Sequence, residues 1–121
     1  VYGLQALRAA GAEVIAHERA DEYLQSDTAA LRLKASREEL FPWIDEQTRL
    51  VPPDRRLRGP VTLELGGTRF ELSHAGPAHT PEDLVVWLPE RRVLLVGDLV
   101  FRGRIPFVGL ADSGGWVQAL D

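Results

Sequence analysis

The spacing of apolar residues predicts helices in the first third of the chain. Residues 2–10 carry apolar side chains at helical spacing and are followed by glycine, which favours a helix C-terminus. A short apolar stretch predicts a strand over residues 13–16. Strong helix formers fill residues 18–40, with Asp27 and Ser36 as candidate N-caps. We therefore expect two or three short helices in this stretch.

The second half has the patterns of strands. Apolar and polar residues alternate over 61–65 and again over 68–72, and the Gly66-Gly67 pair between them predicts a two-residue hairpin turn. Residues 84–88 and 93–96 are continuously apolar instead. Because such strands are typical of sheets with both faces covered, we expect packed layers on each side of them.

Prolines, glycines and a candidate helix cap predict the loops and the last helix of the chain. Prolines interrupt residues 42–60, which predicts a long connection with little regular structure. A glycine- and proline-containing loop is predicted over residues 103–109. Asp112 or Ser113 can then cap a last helix that contains Trp116.

Composition narrows the classes of protein that the chain can represent. Its 121 residues allow a single domain with a real core, and the formal net charge of -4 argues against a nucleic-acid binder. The sequence contains no bilayer-spanning apolar run and no cysteine, so thiolate chemistry is excluded and any metal must be held by His, Asp or Glu. These features predict a soluble protein and leave its compartment open.

Two segments contain side chains that could carry chemistry. Of the three histidines, His17 ends a short strand and is interpreted as a surface or half-buried polar residue. His74 and His79 lie in the loop 73–81 between two predicted strands, where an anchored backbone can orient an imidazole as a metal ligand. Asp98 follows an apolar strand, where either an active-site carboxylate or a turn-forming or capping residue is expected.

Together these segments resemble the metallo-β-lactamase superfamily of metal-dependent hydrolases. Residues 76–80 read Gly-Pro-Ala-His-Thr and match the family's Gly-x-x-His-Thr loop, residues 97–98 match its Gly-Asp pair, and residues 83–88 look like the strand after the histidine loop. Residues 1–4 look like the continuation of the family's His-x-His-x-Asp-His motif. The motif itself is expected immediately before residue 1 and a final histidine beyond residue 121, so the chain resembles one truncated domain over residues 1–121.

The resemblance implies a fold, a cofactor and a pair of ligands. The fold would be α/β, a partial αββα layered sandwich, and the intact family binds two zinc ions. His79 and Asp98 would be metal ligands, with Asp98 bridging the two ions, whereas His74 matches no ligand position. An aspartate rather than a cysteine at position 98 is more similar to thioesterase-type or general hydrolase branches than to broad-spectrum lactamases.

Competing functions remain open at this point. The first is a fragment of a zinc-dependent hydrolase that cleaves an ester, thioester, lactam or similar bond of a small molecule. Because most metal ligands are missing, this fragment would bind zinc weakly or not at all and would be inactive alone. The second is a non-catalytic α/β module for self-association or partner binding, and the third an unrelated fold with an accidental match. Exposed sheet edges would favour a homodimer or strand-swapped oligomer.

Overall fold

The computed structural model describes residues 2–106, 108–109 and 111–121, which form two compact units, one ending at Arg56 and the other beginning at Leu57. Val1, the first residue of the expected motif continuation, and two residues in or next to the predicted 103–109 loop lie outside the described residues. No described helix has the length and apolar character needed to cross a bilayer.

The first unit is mainly helical. Its elements are α1 (Leu4–Ala9), β1 (Ile15–His17), α2 (Ala20–Leu24) and α3 (Asp27–Glu39). The predicted first helix, the short strand and the helical 18–40 segment are therefore confirmed, with ends shifted by a few residues. The apolar core of this unit consists of Val14, Ala20, Ala29, Leu33, Ile44 and Val51.

The predicted caps of the helical segment are wrong. Ser26 is the N-cap of α3, because its hydroxyl oxygen accepts a hydrogen bond from the Ala29 amide at 3.2 Å. Asp27 is the first helical residue, and Ser36 lies inside α3 with no exposed surface. The Ser36 hydroxyl is 3.0 Å from that of Tyr2, so the tight packing of a small hydroxyl explains this serine, which begins no helix.

The 42–60 connection has little regular structure, as predicted. Its one strand is β2 (Arg55–Leu57), which forms a two-stranded sheet with β1. The amides of Asp54 and Arg55 both donate to the Val14 carbonyl. The connection is nevertheless packed, because Ile44, Thr48 and Val51 are buried.

A four-stranded antiparallel sheet organises the second unit. It has the order β3-β4-β5-β6, with β3 (Val61–Leu65), β4 (Thr68–His74), β5 (Leu84–Leu88) and β6 (Val93–Leu95). Gly66 and Gly67 both have positive φ, +58° and +74°, which confirms the two-residue hairpin between β3 and β4. The core of this unit consists of Leu57, Leu72, Ala78, Leu88 and Leu99.

The expectation that both apolar strands are covered on each face is wrong for β6. Val93, Leu94 and Leu95 expose 41%, 51% and 51% of their surfaces. β6 is an edge strand that pairs with β5 alone, and no other described strand lies beyond it. A continuous apolar run indicates that a strand favours burial on both faces, but the described residues leave the side chains of β6 about half exposed.

The second unit ends with α4 (Ser113–Leu120). Asp112 is its N-cap, since a carboxylate oxygen accepts from the Gly115 amide at 2.9 Å. The predicted last helix, its cap and the position of Trp116 are confirmed, and this helix meets the loop that carries His79.

Candidate metal centre

His79 is held in a loop between β4 and β5 that is closed by its own hydrogen bonds. The Asp83 carboxylate accepts from the amide of Thr80 at 2.8 Å and from its hydroxyl at 2.6 Å. The Ala78 amide donates to the Thr80 carbonyl, and the Ala75 amide donates to the Asp83 carbonyl. The backbone on both sides of His79 is therefore fixed before any ligand binds.

Close packing explains the glycine of this loop and the position of His74, which is the last residue of β4 and not part of the loop predicted over 73–81. A Cβ at Gly76 would lie 2.9 Å from the Thr80 carbonyl oxygen and 3.2 Å from the ring Nε2 of His74, so a larger residue would push the loop apart. The same His74 nitrogen lies 2.9 Å from the Pro81 carbonyl oxygen. His74 thus contacts the backbone of the loop.

His17 belongs to the first unit, and its predicted environment is corrected by the structure. Only 7% of its surface is exposed, so it is buried rather than on the surface or half-buried. It lies at the end of β1, and its Nδ1 accepts from the Arg19 amide at 3.4 Å.

Asp98 lies just beyond the end of β6. It is the central residue of a short 3-10 helix, Gly97–Leu99, which follows the strand after Val96. Gly97 has φ +52°, a value that glycine adopts without strain, and this turn re-aims the chain after the strand. Asp98 is therefore inside a turn and not at a helix N-cap, and 63% of its side chain is exposed.

The structure brings His79 and Asp98 together. Nε2 of His79 lies 3.8 Å from Oδ2 of Asp98, and the histidine side chain is 14% exposed. This separation is too long for a hydrogen bond. Zinc bonds to nitrogen and oxygen are about 2.1 Å each, so two atoms within about 4.2 Å can reach one ion. The donor types and their separation therefore fit two ligands of one zinc site.

The other ring nitrogen of His79 is enclosed. Nδ1 is buried and has no hydrogen-bond partner in the described part of the chain. Nε2 is thus the nitrogen that faces the Asp98 carboxylate, while Nδ1 faces the interior. Metal-bound imidazoles usually donate this second N–H to a carbonyl or carboxylate, so the orientation of His79 must have another source.

Two aromatic rings pack close to the ring of His79. Its ring centroid lies 5.9 Å from that of Phe101 and 5.3 Å from that of Trp116. The guanidinium of Arg104 lies over the Phe101 ring, 4.9 Å from its centroid. Two aromatic rings therefore lie close to the His79 imidazole, and one of them also contacts a cation.

The described residues do not complete a metal site by themselves. No group of three or more His, Asp or Glu side chains with the spacing of metal ligands occurs over residues 2–106, 108–109 and 111–121. A catalytic zinc usually has three protein ligands and a water. His79 and Asp98 are therefore too few to form a catalytic zinc site by themselves.

Comparison with known proteins decides the family. The model of the metallo-beta-lactamase superfamily matches residues 1–121, which is the whole chain. The chain belongs to this superfamily. Over 59 residues, or 49% of its length, it is 32% identical to a metallo-beta-lactamase type 2 of Pseudomonas aeruginosa. It spans about a quarter (24%) of that relative's length.

Two solved structures share the fold of this superfamily member. The B3 metallo-beta-lactamase BLEG-1 has a TM-score of 0.70 at 23% identity, and a metallo-beta-lactamase from Pontibacter korlensis has a TM-score of 0.63 at 24% identity. Each match covers 98% of this chain, but only 55% and 46% of the two relatives. The α/β fold of the metallo-β-lactamase type is confirmed, whereas the single-domain assignment and the metal role of His79 and Asp98 stay predictions.

Sequence analysis missed the aromatic residues that touch His79. Phe101 and Trp116 are 22 and 37 positions beyond His79, so nothing local in the chain indicates that the three rings meet. A faint signal exists at Trp116, which follows two glycines in the first turn of α4, where a close approach of backbone is possible.

Proposed function

We propose that these residues are part of a zinc-dependent hydrolase in which His79 and Asp98 are two of the metal ligands. The observation that carries the proposal is the 3.8 Å separation of their donor atoms, at the two positions that match the superfamily's motifs. The aspartate at position 98 favours an ester or thioester of a small molecule over a lactam as the substrate.

Each residue has a distinct task in this proposal. His79 would offer its Nε2 to the metal, while its loop and aromatic neighbours hold the ring in place. Asp98 would supply a carboxylate to the metal from an exposed position that solvent can reach. Bound zinc would lower the pKa of water to about 7 and polarise the scissile carbonyl.

The proposal includes a low activity for the 121 residues alone. Two donors leave a zinc ion without the third protein ligand of a catalytic site, so we expect weak binding and little hydrolysis. A version extended by a His-x-His-x-Asp-His segment before residue 1 and a histidine after residue 121 should bind zinc tightly. It should also hydrolyse a generic thioester.

The extended version separates ligands from other histidines. Loss of a hydrogen-bond partner behind a ligand typically costs 10–100-fold in metal affinity, so His79→Ala should cost at least about that much. Asp98→Ala should mainly remove the second ion. The control His74→Gln removes the imidazole at the end of β4 but can still hydrogen-bond the Pro81 carbonyl, and it should leave zinc affinity within a few-fold. Equal zinc affinity with both His79 and Asp98 replaced would contradict the proposal.

One observation favours a second candidate function, a non-catalytic module that self-associates. The half-exposed apolar side chains of β6 lie on a strand edge that no other described strand pairs with, and such edges recruit other chains. In this alternative β6 pairs with its copy in a homodimer or a strand-swapped oligomer, and replacing the candidate ligands has no effect on assembly.

A further inference from the structure

One side chain contacts both segments that carry the candidate ligands. The indole Nε1–H of Trp116 donates to the Leu99 carbonyl at 2.9 Å, and Leu99 directly follows Asp98. The Trp116 ring also meets the ring of His79, with centroids 5.3 Å apart. Trp116 therefore connects the histidine loop to the aspartate turn.

The ring contacts supply an orientation that hydrogen bonding does not. The Trp116 and His79 planes meet at 68° in an edge arrangement, and Phe101 completes the cluster at 6.2 Å from Trp116. Edge contacts at these distances are the favoured geometry of aromatic pairs. Since Nδ1 of His79 has no hydrogen-bond partner in the described chain, neighbouring rings are what restrict the rotation of the imidazole.

The helix that carries Trp116 is itself fixed to the histidine loop. The Asp112 amide, at the N-cap of α4, donates to the carbonyl of Ala78 at 2.8 Å. A Cβ at Gly115 would lie closer to the Pro77 carbonyl oxygen than real Cβ contacts allow, so α4 and the loop touch through backbone. Trp116 is thus presented from a helix whose position relative to His79 is set by direct contacts.

We propose that Trp116 is a positioning residue for the metal centre, which holds the His79 ring and the Asp98 turn at the separation that lets both reach one ion. This inference rests on the proposed function. In it, aromatic packing replaces the hydrogen bond that usually orients a metal-bound imidazole.

Variants of Trp116 in the 121-residue chain test this role in two independent ways. Crystal structures without metal report the distance between Nε2 and Oδ2, and titration with Co²⁺ alone reports affinity. For Trp116→Leu, which keeps an apolar side chain, we expect the distance to exceed about 4.2 Å, the reach of two ligand bonds. We expect Co²⁺ affinity to fall at least about 10-fold, as for other groups behind a ligand.

A conservative variant and two controls separate positioning from stability. Trp116→Phe keeps a ring beside His79 and should restore most of the affinity lost in Trp116→Leu. Trp43→Ala, at an exposed tryptophan of the first unit, and Val117→Ala, at an exposed position of α4, should leave both measurements unchanged.

Each outcome decides the inference. A Trp116→Leu chain whose Nε2 to Oδ2 distance and Co²⁺ affinity match those of the wild type overturns it. If the wild type binds no Co²⁺ at His79, the metal-free distances alone decide whether Trp116 positions the pair, and the proposed function is judged separately by zinc binding of the extended version. If Trp116→Leu does not fold, the same comparison is made between Trp116→Phe and the wild type. A Trp116→Phe chain that keeps the distance between Nε2 of His79 and Oδ2 of Asp98 supports the inference, and one that loses this distance overturns it.

Discussion

Replacing Gly115 by alanine is expected to separate α4 from the loop that carries His79. A Cβ at this position would lie within 3.0 Å of the Pro77 carbonyl oxygen, closer than side chains tolerate. The atom it meets is backbone and lacks the freedom of a side-chain end. The helix and the loop must therefore move apart by roughly 1 Å, which is the strain typical of an overpacked site.

The neighbouring glycine provides the matched control for this change. A Cβ at Gly114 would meet only a carboxylate oxygen of Asp112, at 3.4 Å, which is an ordinary contact distance. Both glycines lie in the first turn of α4, so the gain of about 0.5–1 kcal/mol from replacing glycine by alanine in a helix is common to both. Overpacking costs about 1–3 kcal/mol, so Gly115→Ala should be less stable than Gly114→Ala by about that amount.

Urea unfolding of the two variants measures this difference. With a denaturant slope of roughly 1–3 kcal/mol per molar urea, the midpoint of Gly115→Ala should lie about 1 M below that of Gly114→Ala. Co²⁺ affinity should fall in the same variant, because His79 is displaced with the loop. Equal midpoints for the two alanine variants would refute the close backbone contact on which this reasoning depends.

Three further changes test other parts of the account. Ser26→Ala removes the N-cap of α3 and should lower the free energy of unfolding by about 1 kcal/mol in urea, and an unchanged midpoint would contradict this cap. A hydrogen bond from Arg56 holds the pKa of the Asp21 carboxyl below its usual 3.8, so its stabilisation is complete above that pH and is lost as the pH falls through the lowered value. Asp21→Asn should therefore reduce the loss of stability on acidification, and an unchanged acid profile would contradict the role of this pair. Leu94→Lys on β6 should reduce self-association in sedimentation experiments, whereas a wild-type chain that is monomeric at high concentration would contradict association through this edge.

The fold could be predicted wherever short-range chemistry determines it. Gly66 and Gly67 supply the positive φ values that a two-residue hairpin requires, so the turn and the strands on either side were predictable. The helix N-caps were less predictable, because a serine three residues before a glutamate, as at Ser36, also occurs inside helices. Ser36 is buried beside Tyr2 by tertiary packing, which no local pattern contains.

The candidate site was predictable in its residues and not in its surroundings. Family-like motifs indicated His79 and Asp98, and the structure places their donor atoms 3.8 Å apart. The rings of Phe101 and Trp116 lie beside His79 because of the course of the chain after β6 and the packing of α4 against the histidine loop. The exposure of β6 was also unpredictable, because an apolar run indicates a preference for burial without indicating what covers it.

The most direct test of the central claim is a Zn²⁺ titration of the 121-residue chain followed through the ring signals of its three histidines by NMR. We predict that the signals of His79 respond at the lowest Zn²⁺ concentration, before those of His17 and His74. We also predict that Asp98→Asn shifts this response to higher concentration, because one ligand of the pair is weakened. Simultaneous response of all three histidines, or a His79 response that Asp98→Asn leaves unchanged, would contradict a shared metal site at His79 and Asp98.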